Sequence, residues 1–280
     1  MKEGWKERCF KELGETEESR SKGLATLRRY ISEHPEIHTD QTDEFLLRFL
    51  RARKFDEDRA FKLLKGYLSA KKRDPELFRL SPALEDVVHL GHGWQCVLSG
   101  RTKKGQAIFV SRPGKYNIIS EKSKRGGKQA MVVEESFRTN VLALEWSLLE
   151  EMTQLAGLVC IIDMEGFSLI KHSAFLNPYH TMRTTSVVQD TLPLRFGGFH
   201  VVNQPRYMDA IYALFKPFLK EKIRERIYFH GRCYEQLHEF ISPEVLPKEY
   251  GGTRGTIDDD DWKERLLADR ERILAFEPPE

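Results

Sequence analysis

Apolar positions recur at three- and four-residue steps through the first eighty or so residues and then change character. Thr42, Asp43 and Glu44 stand before Phe45, Leu46, Leu47, Phe49 and Leu50, which predicts a helix capped by Thr42 or Asp43. Asp56 opens a second helix carrying Ala60, Leu63, Leu64 and Tyr67 on one face. Leu24 to Ile31 reads as a shorter helix of the same layer, and Pro75 and Pro82 then punctuate the chain. From about Val87 the pattern alternates. Short β-rich runs at Gln95–Leu98, Ala107–Ser111, Leu158–Asp163, Phe199–Val202 and Arg226–His230 are separated by helical stretches at Gln129–Thr153, Ser173–Gln189 and Tyr207–Phe215.

Strands alternating with helices imply an α/β fold with a mostly parallel sheet covered by helices. Three segments are expected: a helical module over 1–79, an α/β body over 80–254, and an acidic segment with a helix over 255–280. The polar loop 121–128 (EKSKRGGK) lacks phosphate-loop spacing and reads as solvated surface. Four consecutive aspartates, Asp258 to Asp261, lack the glycine and terminal glutamate of a calcium loop. Acidic residues at the positive end of a final helix account for them.

Composition narrows the possibilities. The 280 residues are 40% hydrophobic and 31% charged, the balance of a folded globular chain. Lys plus Arg is 45 against 43 Asp plus Glu, so attraction to a polyanion requires local clustering of cations. Cys9, Cys96, Cys160 and Cys233 form no CxxC pair, which argues against structural zinc and against a disulfide framework. The charged N-terminal stretch has no apolar signal core, and no apolar run approaches the ~20 residues that span a bilayer. A reduced, cytoplasmic, monomeric protein is expected, with no metal, cofactor or nucleic acid among its requirements.

No catalytic constellation is legible. The nine histidines include no HExxH or HxH arrangement, and there is no GxSxG elbow, GxGxxG turn or phosphate loop. His172 and His180, eight apart, would lie two turns apart on a helix, too far for joint metal ligation. Asp163 and Glu165 at a strand end could serve acid–base chemistry, or Asp163 could cap a neighbouring loop.

The informative stretch is 192–231, LPLRFGGFHVVNQPRYMDAIYALFKPFLKEKIRERIYFHG. After the turn at Asn203-Gln204-Pro205, a helix places Tyr207, Ile211, Leu214, Phe215 and Phe218 on one face, widened by Met208 and Tyr212. Such a stripe is commonly a plain core helix. Here it is aromatic, breaks at Pro217, and runs into Lys216, Lys220, Lys222, Arg224 and Arg226. That combination suits a gate that covers a lipid and meets an anionic surface. Five cations at about 1 kcal/mol each would recruit the chain reversibly. A lipid burying on the order of 500 Å² would be held by about 12 kcal/mol before ordering costs.

Several stretches together resemble the CRAL-TRIO family of lipid carriers. FLLRFLRARKFDEDRAFKLL (45–64) resembles its N-terminal helical module. IIDMEGF (161–167), LPLRFGGFHVVNQP (192–205), KPFLKEKIRERIYFHG (216–231) and LPKEYGG (246–252) follow in the family's order and spacing. The resemblance covers about Thr42 to Gly252. It implies an N-terminal helical module plus a lipid-binding domain whose mostly parallel sheet floors an apolar pocket closed by a helical gate. It also implies pocket residues Phe137, Asn140, Leu144, Leu158, Ile162, Val187, Val188 and Phe199, with Met208, Ile211, Leu214, Phe215 and Phe218 in the gate. Tocopherol-carrying members have serines where this chain has Asn140 and Leu144, a departure in the polar contacts. A basic cleft for phosphoinositide headgroups is implied at Arg195, Lys222 and Arg226. A fourth basic position falls on Gly197, for which Lys220 or Arg224 would substitute.

The expected function is transfer of one hydrophobic, tocopherol-, retinoid- or isoprenoid-like lipid. Exchange is expected through transient contact with endosomal or other anionic membranes. The alternative is a phosphoinositide-sensing adaptor in endosomal trafficking.

Overall fold

The computed structural model describes residues 2–78, 84, 88, 92–116 and 129–275. Loop 121–128, Pro82 and the expected boundary at 79/80 lie outside them. The chain opens with helices α1 (Lys2–Leu13), α2 (Glu17–Ser32), α3 (Asp43–Ala52), α4 (Glu57–Arg73) and α5 (Pro75–Phe78). Side-chain caps set their starts. Thr16 and Ser19 form a reciprocal capping box on α2, which therefore starts earlier than its apolar stripe. Thr42 accepts from the Phe45 amide and Asp56 from the Arg59 amide, so the capping residue of α3 is Thr42.

The body holds β1 (Gln95–Arg101), β2 (Ala107–Ser111), α6 (Gln129–Ser147), α7 (Glu151–Ala156), β3 (Leu158–Asp163), α8 (Leu169–His172), α9 (Pro178–Ser186), β4 (Phe196–Val202), α10 (Met208–Phe215), α11 (Glu221–Arg224), β5 (Ile227–Gly231) and α12 (Tyr234–His238). The five strands lie in sequence order. β1 and β2 are antiparallel and every pair from β2 to β5 is parallel, as helical crossovers require. Helices α13 (Asp259–Ala268) and α14 (Arg270–Leu274) close the fold.

Two expected helices are interrupted. The 129–153 stretch ends at Ser147 and restarts at Glu151. The 173–189 stretch is a 3-10 turn over Ser173–Leu176, then α9, then a π turn over Val187–Thr191. Pro178 is the cause of the first break: it cannot donate backward, and Asn177 caps α9 through the Tyr179 amide. β4 begins three residues before the expected Phe199, because Gly197 and Gly198 hide the apolar alternation.

A single cluster of buried hydrophobic side chains extends from Leu24 and Leu50 through Ile108, Leu142 and Ile161 to Tyr250 and Ile273. The core thus crosses both expected segment boundaries. The aspartate run is spent on a helix cap and ion pairs. Asp258 accepts the amides of Asp260 and Asp261, Asp259 pairs with Arg112 at 2.5 Å, and Asp261 with Arg265 at 2.8 Å.

Candidate functional site: an apolar cavity beneath α10

The pleat of the sheet builds the floor. Ser111, Ile162, Val201 and Phe229 stand side by side across β2, β3, β4 and β5, with Phe199 and Ile227 in the next row. Alternation along each strand points these side chains to one face. A cavity of about 290 Å³ lies on that face. From α6 come Ser136, Phe137 and Asn140, one helical turn of a single face. Met164, Phe167, Phe175 and Leu176 close one side, while Thr184 and Thr185 of α9 and Val188 of the π turn close another. Helix α10 covers it with Met208, Ile211, Tyr212 and Phe215, the 0, 3, 4 and 7 positions of an amphipathic helix.

The cover is pinned at both ends. The Tyr207 hydroxyl donates to Phe167 O at 2.9 Å. Beyond Phe215 the chain tightens into a 3-10 turn over Lys216–Phe218 and then extends at Leu219, as expected of Pro217. Here Gln189 uses both halves of its amide: Nε2 donates to Phe218 O at 3.0 Å, and Oε1 accepts the Lys220 amide at 2.6 Å.

Of the expected pocket residues, Phe137, Asn140, Ile162, Val188, Phe199, Met208, Ile211 and Phe215 line the cavity. Five others do not. Leu144, Leu158 and Val187 belong to the continuous core, at 5%, 0% and 5% exposure. Leu144 lies one turn beyond Asn140, and Leu158 stands at the far end of β3 from Ile162. Leu214 points outward at 46% exposure, and Phe218 sits in the turn past the cover. Ser111, Trp94, Thr184, Thr185 and Phe229 escaped the sequence reading. Only strand register and inter-helix packing bring them to the wall.

Cations gather outside the cavity. Lys222 is held below the ordinary lysine range by partial burial, then by the positive fields of Arg226, Arg53, Arg59 and Arg195. Arg53 and Arg59, from the turn before α4 and its first turn, were not anticipated. Arg195 donates to Leu155 O at 2.5 Å and Arg226 to Phe196 O, which fixes both guanidinium groups. Lys220 is paired with Asp190 of the π turn. Arg224 is exposed on α11. At Gly197 a Cβ would meet the Gln106 amide nitrogen at 2.0 Å, so Gln106 takes the space of a larger side chain.

Asp163 is consumed structurally. Its Oδ1 accepts from the Glu165 amide at 3.0 Å and Asn203 Nδ2 at 2.9 Å, and its Oδ2 from the Tyr250 hydroxyl at 3.2 Å. The strand-end, NQP and LPKEYGG stretches therefore meet at one carboxylate. His172 and His180 fall on separate helices and stack on Phe167 and Phe137 respectively.

Comparison with known proteins agrees with this arrangement. The CRAL/TRIO domain model matches residues 91–252, and the CRAL/TRIO N-terminal domain model matches 14–66. Over 266 residues the chain is 40% identical to "Alpha-tocopherol transfer protein-like" of Homo sapiens, covering 94% of this chain and 74% of that protein. It is 34% identical over 259 residues to Clavesin-1 of Xenopus laevis, covering 91% and 75%. The solved structure of Sfh5 superimposes with a TM-score of 0.57 at 14% identity, over 92% of this chain and 99% of that one, a likeness of fold alone. The chain belongs to the CRAL-TRIO family.

Proposed function

We propose that this protein is a lipid carrier that takes one hydrophobic lipid into the cavity beneath α10 and exchanges it at an anionic membrane. The observation that carries this reading is the cavity itself: a wall of apolar and uncharged polar side chains, closed by an aromatic helix with a proline-marked end. The spent carboxylate of Asp163 favours carriage over catalysis. Leu169, Ile170, Tyr179, Met182 and Leu214 are 41–92% exposed. Of these, Tyr179 and Met182 on α9, which packs against α10, and Leu214 on α10 itself offer apolar surface suited to the interfacial region of a bilayer. The cluster of Lys222, Arg226, Arg195, Arg53 and Arg59 supplies the complementary attraction for phosphoinositide headgroups. Peripheral, reversible association of a monomer with endosomal or similar membranes is the expected mode.

The test is to purify the chain from cells, extract it with organic solvent and identify what it carries. A hydrophobic lipid at near-stoichiometric amount is expected, and a consistently empty protein that takes up no tocopherol, retinoid, carotenoid or phospholipid overturns the reading. The Lys222→Ala/Arg226→Ala variant should lose at least tenfold in binding to vesicles containing phosphatidylinositol bisphosphate, while keeping its lipid.

The cation cluster also favours a second reading, a phosphoinositide-sensing adaptor. Blocking the cavity at Met208→Trp separates the two, since an adaptor keeps its membrane recruitment and cellular role. Leu144→Trp does not serve, because Leu144 is core.

A further inference from the structure

Besides Ser111 and Tyr212, the cavity wall carries three hydroxyls whose proton is already used. Ser136 Oγ donates to Val133 O at 2.7 Å, Thr184 Oγ1 to His180 O at 2.8 Å, and Thr185 Oγ1 to Thr181 O at 3.0 Å. Each hydroxyl spends its proton on its own helix and faces the cavity with acceptor lone pairs only. The Phe137 ring, beside Ser136, stacks on His180 with centroids 6.1 Å apart. This contact sets that face of α6 against the start of the turn carrying Thr184 and Thr185. Asn140, one turn beyond Ser136, lines the same cavity. Its amide is half-buried and makes no hydrogen bond among the described residues, so both a donor and an acceptor remain available. Among the described residues no Lys, Arg, His, Asp or Glu lines the cavity.

We infer that the cavity selects a lipid with an electrically neutral head that donates a hydrogen bond, a lipid alcohol, and that Asn140 reads that head. The inference rests on the carrier reading and specifies its substrate class. A carboxylate or phosphate would enter a wall with no counter-charge, which proteins rarely tolerate. A carboxyl with a pKa of about 4.3 could enter only protonated, a roughly thousandfold handicap at neutral pH. An aldehyde or ester accepts but does not donate. It would leave Asn140 Oδ1 without a proton from the ligand, a loss of about tenfold for one hydrogen bond. An alcohol satisfies both directions.

The experiment presents the delipidated full chain with an equimolar mixture at pH 7.4 of retinol, retinal and retinoic acid, and of hexadecanol, hexadecanal and palmitic acid. The bound fraction is extracted and quantified by mass spectrometry. Within each skeleton the alcohol should exceed the acid by a hundredfold or more and the aldehyde by about tenfold. Asn140→Leu should erase the alcohol-over-aldehyde preference while retaining bound lipid. Asn140→Gln, which keeps both the amide donor and the acceptor, should preserve it. A purely structural role for Asn140 would make the two variants behave alike. Equal retention of acid and alcohol, or an unchanged ratio in Asn140→Leu, overturns the inference and leaves the carrier reading standing. Retention of no lipid by the parent chain, together with an empty extract from cells, overturns both.

Discussion

His200 and His230 sit on the face of the sheet away from the cavity, at 1% and 6% exposure, with His200 Nδ1 and His230 Nε2 3.0 Å apart. One ring must donate and the other accept, so the pair is built for neutral imidazoles, sandwiched with Tyr228 and Phe240. Burial, then the neighbouring His230, pushes His200 down to about 4, and burial also lowers His230. Because the folded value lies below the unfolded one, the unfolded chain binds the proton first. Stability is full above about pH 6.5 and falls as the pH drops toward 4, by up to about 1.4 kcal/mol per unit for one such group. Urea denaturation of His200→Phe across that range should show a shallower loss than the parent. Equal slopes would mean the pair does not titrate with unfolding. His200 lies in the FGGFHVV run, where no local signal names its partner. Its partner is thirty residues away and arrives through the parallel pairing of β4 with β5.

The cover helix and the π turn behave as one assembly of elements. Val188 reaches the cavity, while Gln189 and Asp190 hold the chain just past α10 through the Phe218 carbonyl and the Lys220 amide and ammonium. Consecutive residues of the π turn thus face the cavity and the segment just past α10. Gln189→Leu removes both amide contacts from the segment past α10 without touching the wall. It should raise the rate of lipid transfer between vesicles several-fold with little change in the lipid held at equilibrium, read by transfer of a fluorescent lipid analogue. An unchanged rate would place the moving part elsewhere. The aromatic stripe, its end at Pro217 and the cations beyond were legible in the sequence, since helical periodicity and proline chemistry are local. The π turn was not, because the 173–189 stretch reads as one helix until Pro178 and the contacts past α10 divide it.

At the scale of the molecule, the N-terminal helices are locked onto the body by buried charge. Arg51, 2% exposed, donates Nε and Nη2 to the Glu15 carboxylate at 2.9 and 2.8 Å, and Nη1 to Gln154 Oε1 at 2.7 Å. Glu145 on α6 accepts from the buried Tyr67 hydroxyl at 2.8 Å, and Asp74 pairs with Arg183 at 3.0 Å. Arg51→Ala leaves Glu15 buried without its cation and should cost about 3–5 kcal/mol in urea denaturation. A single cooperative transition shared by parent and variant is expected from the continuous core, whereas a separate early transition of the N-terminal helices would contradict that lock. The same junction brings Arg53 and Arg59 to the field around Lys222, so the cation cluster draws on both parts of the chain.

The sequence by itself determined the kinds of element, most strand positions, the helix caps, the amphipathic cover and the local basic cluster. Each depends on neighbours within a few residues, where periodicity and backbone chemistry act. Ordered motifs carried the family. Tertiary structure decided which apolar faces enclose space and which meet solid core. Asn140 and Leu144 share a helical face, yet one lines the cavity and the other does not, because the packing partners change over a single turn. It also decided that Ser111 and Phe229 stand in one row, that Asp163 ties its own strand end to two distant segments, and that Arg53 joins Lys222. Periodicity reports that a side chain is buried; only register and helix packing decide what it is buried against.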